Sequence, residues 1–577
     1  MMLDEPSSHM LEEFLREADG KALEVGESIV GHVSRAVPIE LSSESKTISI
    51  HIPFNEYMRS NRSIKLGSHL GIAVPIQRVY MLAKIIGIER ADILSMAGLQ
   101  DIAGHRDPGG FATPIVVRIE PICERSFDGG DILPPISPIE PQSPVFTPKP
   151  QFLREMLGIP TEGIAIGVLF EAGRARRDID VVLNEKIIRH HILVIGTTGS
   201  GKTTLLTRIF IDEAFQSMAL DIQGDYVRTM ISSGIQDGYI LVPIVKGLLE
   251  EVCGDPCRDK DKLIVEKLPE IYAKRRGLPE PLVIGAENVD GHAGIRISFG
   301  RVEAVIVPFA FRFLDIYRDI HRILPIMSPQ ASLFFGKLAM KCITRVNSLE
   351  GFVECVEEKG IKEKIHSGTI GNIVRTIKAV YDSGVVGVAL AGREVGEPAY
   401  ESLFARASKI ALDLGFAIDY SPRIGSTMVA YRILSKLFEY KDKEYKAGRI
   451  GKPILVVIDE AHEFFPQSGR EGFEKEGLEE MINKIMRLGR VRGLGCVMAT
   501  HRPQDLNDLV IELANTKIAF RSDEETLRRV GMEKNAKILE TAPEGLGIIK
   551  THAYRVSEIM FRTYLQHILS YKGAEHG

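Results

Sequence analysis

No apolar run in this 577-residue sequence approaches the roughly 18 residues that a transmembrane helix needs. The first twenty residues, MMLDEPSSHMLEEFLREADG, are acidic and polar and lack the basic and apolar regions of a signal peptide. No membrane association and a cytoplasmic location are the expectations. Cysteine is scarce: the six are Cys123, Cys253, Cys257, Cys342, Cys355 and Cys496. So few cysteines for this length argue against a disulfide framework. Cys253 and Cys257 form a lone CxxxC with no partner pair nearby, too few ligands for a structural zinc. There is no excess of positive charge either. Lys and Arg number 72 against 77 Asp and Glu, a formal net charge of −5. A nucleic-acid partner would therefore have to meet a local basic surface, such as a channel lining.

What is present is an ordinary globular composition, 44% hydrophobic and 26% charged. The length leaves room for several domains. Residues 1–24 read as an amphipathic helix or arm. Over 25–125, short β-branched runs set off by Gly and Pro (28–34, 46–53, 70–76 and 114–120) predict a small β-barrel. A stretch with seven prolines between Pro134 and Pro150 reads as a linker or strap over 126–160. Strands are expected over 165–170 and 179–183.

From His191 onward, apolar runs alternate with helical patterns, the mark of a parallel α/β sheet. Strands are expected at 192–195, 219–222, 410–414, 454–458, 496–499, 517–520 and 546–549. The α/β domain is thus placed at 161–577. A long helical insertion is expected over 227–406, including helices at 259–276 and 331–346. A C-terminal helix or tail is expected over 556–577.

The run Gly196-Thr197-Thr198-Gly199-Ser200-Gly201-Lys202-Thr203-Thr204 follows an apolar strand and opens an amphipathic helix. It fits the phosphate-binding pattern G-x-x-x-x-G-K-[ST]. Its glycines let backbone N–H groups turn toward phosphate oxygens, and the helix start adds positive potential. Lys202 is placed to meet the β- and γ-phosphates, and Thr203 offers a hydroxyl to Mg²⁺. ATP and Mg²⁺ are the expected cofactors.

A second motif, Ile454-Leu-Val-Val-Ile458-Asp459-Glu460-Ala461-His462-Glu463, is an apolar strand ending in acids. In an open α/β sheet this puts Asp459 at the carboxyl edge beside the phosphate loop. Asp459 is read as a Mg²⁺ holder and Glu460 as the group that polarises the attacking water. Further along, Arg487, Arg490 and Arg492 cluster at a helix end. They are read either as helix caps or as an arginine finger reaching a neighbouring subunit. Thr500 and His501 close another strand and are read as a γ-phosphate sensor or a turn. Asp225, just past the strand at 219–222, is read as a functional acid or as part of a Gly-Asp turn. Lys274-Arg275-Arg276 is the densest basic run of the insertion and reads first as a solvated helix face.

Together, Gly196–Thr204, Asp221…Gly224-Asp225-Tyr226, Asp459-Glu460-Ala461-His462 and Gly489-Arg-Val-Arg-Gly493…Ala499-Thr500-His501-Arg502-Pro503 resemble the HerA group of the HerA–FtsK superfamily. The β-rich N-terminal segment resembles that group's HAS-barrel. The resemblance implies an α/β, RecA-like P-loop ATPase core with a large helical insertion and an N-terminal HAS-barrel-like domain. It implies a homohexameric ring that translocates on double-stranded DNA held in a central channel. It also implies helicase work in DNA end resection and break repair with a NurA-type nuclease, mostly in archaea. Arg490 is then the leading trans-acting arginine, with Arg492 the alternative. Three departures stand out: His501 where the group usually has Gln, Asp225 where it usually has Glu, and a shifted arginine pattern. The competing readings are a conjugation- or packaging-type pumping ATPase of the same superfamily, and a regulatory ring assembled by ATP.

Overall fold

The computed structural model describes residues 5–41, 47–60, 63–90, 113–253, 260–289, 291–320, 327–343, 349–390, 393–418, 423–449, 451–465 and 476–564. The chain divides into two compact units, one of Met1–Leu183 with Ile548–Arg562 and one of Asn184–Gly547 with Thr563–Gly577. Among the described residues no helix is long and apolar enough to cross a membrane.

The first unit opens with a helix, Glu5–Val25. A closed barrel follows, built from β1 (Gly26–Val33), β2 (Ile48–Ile52), β3 (His69–Val74), β4 (Val79–Arg90), β5 (Ile115–Ser126) and β6 (Pro144–Pro148), in the order β1-β2-β5-β4-β3-β6. Alternate residues point inward, so Val30, Ile50, Ile72, Met81, Val117 and Val145 fill one core. The proline-rich stretch differs from the expected linker, because its end is the strand that closes the barrel. Proline is admissible there because Pro144 and Pro148 are the first and last residues of the strand. Its Phe146 ring lies where a side chain on Gly71 of the neighbouring strand would be. The unit continues past residue 160 into the hairpin β7 (Ile164–Glu171) and β8 (Arg174–Leu183).

The second unit is a doubly wound sheet. Its parallel strands are β9 (Ile192–Ile195), β10 (Gln216–Asp221), β11 (Gly238–Pro243), β14 (Val302–Phe309), β17 (Lys409–Asp413), β18 (Ile454–Ile458), β19 (Leu494–Thr500) and β20 (Thr516–Ala519). Two antiparallel strands, β12 (Leu282–Val289) and β13 (His292–Phe299), extend it beyond β14. The order is β12-β13-β14-β11-β17-β10-β18-β19-β9-β20. The central strands are buried throughout, which explains their unbroken apolar text. A short ribbon, β15 (Ala389–Leu390) and β16 (Arg393–Glu394), stands apart. The last strands are β21 (Leu546–Lys550) and β22 (Glu558–Thr563).

Three expectations need correction here. The segment 227–406 is mixed rather than helical, since β11 enters the main sheet and β12 to β14 lengthen it. Glu558–Thr563, expected within a C-terminal helix or tail, is a strand; residues 565–577 lie outside the described residues. Cys342 and Cys355 form a disulfide between the helices Pro329–Cys342 and Leu349–Lys362, their Cα atoms 5.7 Å apart. Cys123 and Cys496 are free and buried. Cys257 and the Cys253 side chain lie outside the described residues.

Candidate nucleotide site

The site lies in the second unit, at the carboxyl edge of its parallel strands. Register decides what meets there. Asp221 lies level with Asp413 across β10 and β17, Ile458 with Met498 across β18 and β19, and Thr500 with Ile195 across β19 and β9. The loop 196–201, the acids after β18 and the polar end of β19 therefore converge.

β9 runs into the loop, and the helix Lys202–Ile211 leaves it. Gly199 and Gly201 have φ of 71° and 109°, values that a side chain would strain. The Thr197 backbone N–H donates to Arg521 O at 2.8 Å, and Gly545 N–H to Ser200 O at 3.0 Å, so the loop is pinned from outside. Thr197, Thr198 and Gly199 are exposed, as an anion-receiving turn requires, while Ser200, Gly201 and Lys202 are buried. The Lys202 ammonium donates to Gly196 O at 2.9 Å and Thr197 O at 3.1 Å. Burial lowers its pKa, opposed by the charges of Glu460 and Asp459. An arriving phosphate would supply the negative charge that this cation lacks.

Thr203 Oγ1 donates to Asp459 Oδ2 at 2.8 Å. Desolvation pushes the Asp459 carboxyl up to about 6; the Thr203 hydrogen bond opposes this and the Glu460 charge adds to it. A hydroxyl facing a carboxylate is an all-oxygen donor pair, suited to a hard cation such as Mg²⁺.

Glu460 adopts φ 49°, ψ 50°, a left-handed conformation unusual outside glycine. Its N–H donates to Asp459 Oδ1 at 2.9 Å, and its carbonyl accepts from Glu463 N–H at 2.8 Å. These bonds hold the strained turn and aim its carboxylate at His501, whose Nδ1 lies 2.8 Å from Glu460 Oε2. His462 Nδ1 is 3.5 Å from the same oxygen and 3.2 Å from Thr500 Oγ1. Thr500 Oγ1 also accepts from Arg502 N–H at 3.0 Å, so this hydroxyl serves its turn and His462 together. A cavity of about 410 Å³ opens on this side, lined by Asp221, Tyr226, Asp459, Glu460, His462 and His501 among others and by none of residues 196–204.

Asp225 borders that cavity but is ion-paired with Arg228. The acid that organises this corner is Asp221, which the sequence reading assigned no role. It accepts from Gly224 N–H at 2.6 Å, Tyr226 N–H at 3.0 Å and Val227 N–H at 3.1 Å. Burial and the neighbouring Asp413 push its pKa up. Asp413 in turn accepts from Arg276 Nε at 2.7 Å and Tyr272 Oη at 2.6 Å. The basic run thus splits: Lys274 and Arg275 are exposed, whereas Arg276 neutralises a buried acid.

The arginines sit elsewhere. The helix Glu476–Arg492 ends where β19 begins, while the phosphate loop lies at the far end of the parallel strand β9. Seven residues of strand span about 20 Å, so Arg490 and Arg492 stand a strand length from their own chain's loop. Arg492 is engaged locally: its Nε donates to Asp442 at 2.7 Å, and its guanidinium lies 5.2 Å from the Phe438 ring and 5.0 Å from that of Tyr445. Arg487 and Arg490 are exposed.

Residues 164–274 match the family model described as the central domain of helicase HerA. Over those residues the chain is similar to HerA. The HerA-like match includes the strand, phosphate loop and Asp221 turn described above. One relative is the DNA double-strand break repair helicase HerA of Pyrococcus furiosus, 23% identical over 412 residues, covering 68% of this chain and 67% of that protein. Another is the probable DNA double-strand break repair helicase HerA of Methanocaldococcus jannaschii, 21% identical over 431 residues, covering 73% and 77%. Among solved structures, VirB4 of Thermoanaerobacter pseudethanolicus aligns with a TM-score of 0.42 at 11% identity, covering 71% of this chain and 98% of that one. The core is the expected RecA-like P-loop fold, accompanied by the small N-terminal barrel.

Proposed function

We propose that this chain is an ATP-driven translocase and helicase on double-stranded DNA, working as a homohexameric ring in end resection with a NurA-type nuclease. The observation that carries the reading is the convergence of Lys202, Thr203, Asp459 and Glu460 at one sheet edge, within a chain similar to HerA helicases along two thirds of its length.

ATP would lie with its β- and γ-phosphates against the N–H groups of 196–204, and Lys202 would exchange its loop carbonyls for phosphate oxygens. Thr203 and Asp459 would hold Mg²⁺, which when bound neutralises phosphate charge. Glu460 orients water toward the γ-phosphate; its strained backbone fixes that carboxylate. His501 and Thr500 steady the arrangement from β19. Arg490 faces outward at the opposite edge and completes the site of an adjacent copy, because it is too far from its own. Arg492 supports the helix that presents it.

The test is ATP turnover by the full chain with and without duplex DNA at low and high salt. Stimulation by duplex that fades with salt is expected. Equal rates at low salt overturn the motor reading.

A further inference from the structure

Two histidines converge on the carboxylate assigned to hydrolysis, and that assignment explains neither of them fully. We propose that Glu460, His462 and His501 form a site for a borderline transition-metal ion of the Zn²⁺ or Co²⁺ class, overlapping the hydrolytic carboxylate. The inhibitory half of this proposal rests on the reading of Glu460 given above; the binding half does not.

One donor atom from each residue lies within 4.8 Å of the other two. In a tetrahedral site with ligand bonds of about 2.0–2.2 Å, donors stand roughly 3.3–3.5 Å apart. His462 Nδ1 is already 3.5 Å from Glu460 Oε2, and His501 Nδ1 must withdraw only slightly from its 2.8 Å. The His501 side chain is 27% exposed and has room to do so. The two rings meet edge to face with centroids 4.7 Å apart.

The surroundings favour ligation. His462 is buried, and its far nitrogen, Nε2, lies 3.7 Å from Glu463 Oε1, a carboxylate placed to favour the Nε2–H tautomer and leave Nδ1 as the lone-pair donor. On binding, the proton shared by His501 Nδ1 and Glu460 moves to Nε2 or to solvent. Three protein ligands beside an open cavity leave a fourth position for water. Imidazole nitrogens select Zn²⁺, Co²⁺ or Ni²⁺, whereas Thr203 and Asp459 offer only oxygen and suit Mg²⁺. Two cations are thus sorted by ligand chemistry at one sheet edge. An ion held on Glu460 withdraws that carboxylate from water activation.

The experiment titrates the full-length, nucleotide-free protein with Co²⁺ and follows its visible absorption, with Zn²⁺ as competitor. One site per chain is expected, weakened at least tenfold by His462→Ala and by His501→Ala and unaffected by Cys253→Ser with Cys257→Ser. Unchanged thermal unfolding of the histidine variants without metal shows that they fold. Binding that survives both histidine changes, or none below millimolar Co²⁺, overturns the site. At saturating Mg²⁺ and ATP, Zn²⁺ should lower turnover at least tenfold in the wild type. Normal Co²⁺ binding with turnover untouched overturns the overlap with hydrolysis and leaves the metal site standing.

Discussion

Thr203 and Asp459 are 256 positions apart, yet the threonine hydroxyl meets the carboxylate at 2.8 Å. The contact exists because β18 and β9 flank β19 in one parallel sheet and both end at its carboxyl edge. Lys202 is the neighbour of Thr203 on the same helix start. Lys202→Ala should therefore reduce ATP turnover on the order of 10²-fold or more and weaken nucleotide binding. Turnover assays and nucleotide titration of the variant check both effects.

Glu460→Gln is expected to separate the two functions. The amide keeps the size of the side chain but cannot act as a base, so turnover should fall about 10²- to 10⁴-fold while ATP affinity changes little. Measuring both on one preparation distinguishes a hydrolytic role from a packing role.

The arginines should divide cleanly. Arg492 is paired with Asp442 and lies over two rings, so Arg492→Ala should cost about 1–2 kcal/mol of stability through lost contacts. Arg490 is exposed, so Arg490→Ala should leave thermal unfolding unchanged while lowering turnover by on the order of 10³-fold. Calorimetry and turnover on both variants test the division.

His191 predicts an acid sensitivity. Its Nδ1 accepts from Cys496 N–H at 3.1 Å and its Nε2 lies 2.9 Å from Met486 O, which fits a neutral ring with the proton on Nε2. Burial lowers its pKa from 6.5 to about 4. Above pH 6.5 the ring is neutral folded or unfolded and the second unit keeps its full stability. As pH falls toward 4, only the unfolded chain takes up the proton, and stability drops by on the order of 3 kcal/mol. His191→Gln should flatten unfolding midpoints between pH 6.5 and 4; an unchanged slope would refute the assignment.

Much of this site was legible because its signals are local. Ile192–Ile195 and Ile454–Ile458 are apolar runs bounded by a glycine loop and by acids, and the strands occupy those residues. Gly238–Pro243 is just as apolar, but the helical patterns around it mask a strand there. The Pro-rich stretch reads as a linker because its proline density masks the strand Pro144–Pro148 that closes the barrel. The pairing of Asp221 with Asp413, the role of Arg276 and the meeting of Glu460 with His501 depend on parallel register, which no local pattern encodes. The Cys342–Cys355 bridge depends on how two helices pack, which cysteine spacing does not encode.

The central claim is a nucleotide site shared between copies, and mixing two inactive chains tests it most directly. Glu460→Gln retains Arg490, and Arg490→Ala retains Glu460. Co-assembled, some seams hold an intact Glu460 from one chain and an intact Arg490 from its neighbour, so ATP turnover should reappear well above either variant alone. Turnover that stays at the level of the separate variants, in mixed assemblies verified by mass, would contradict the account.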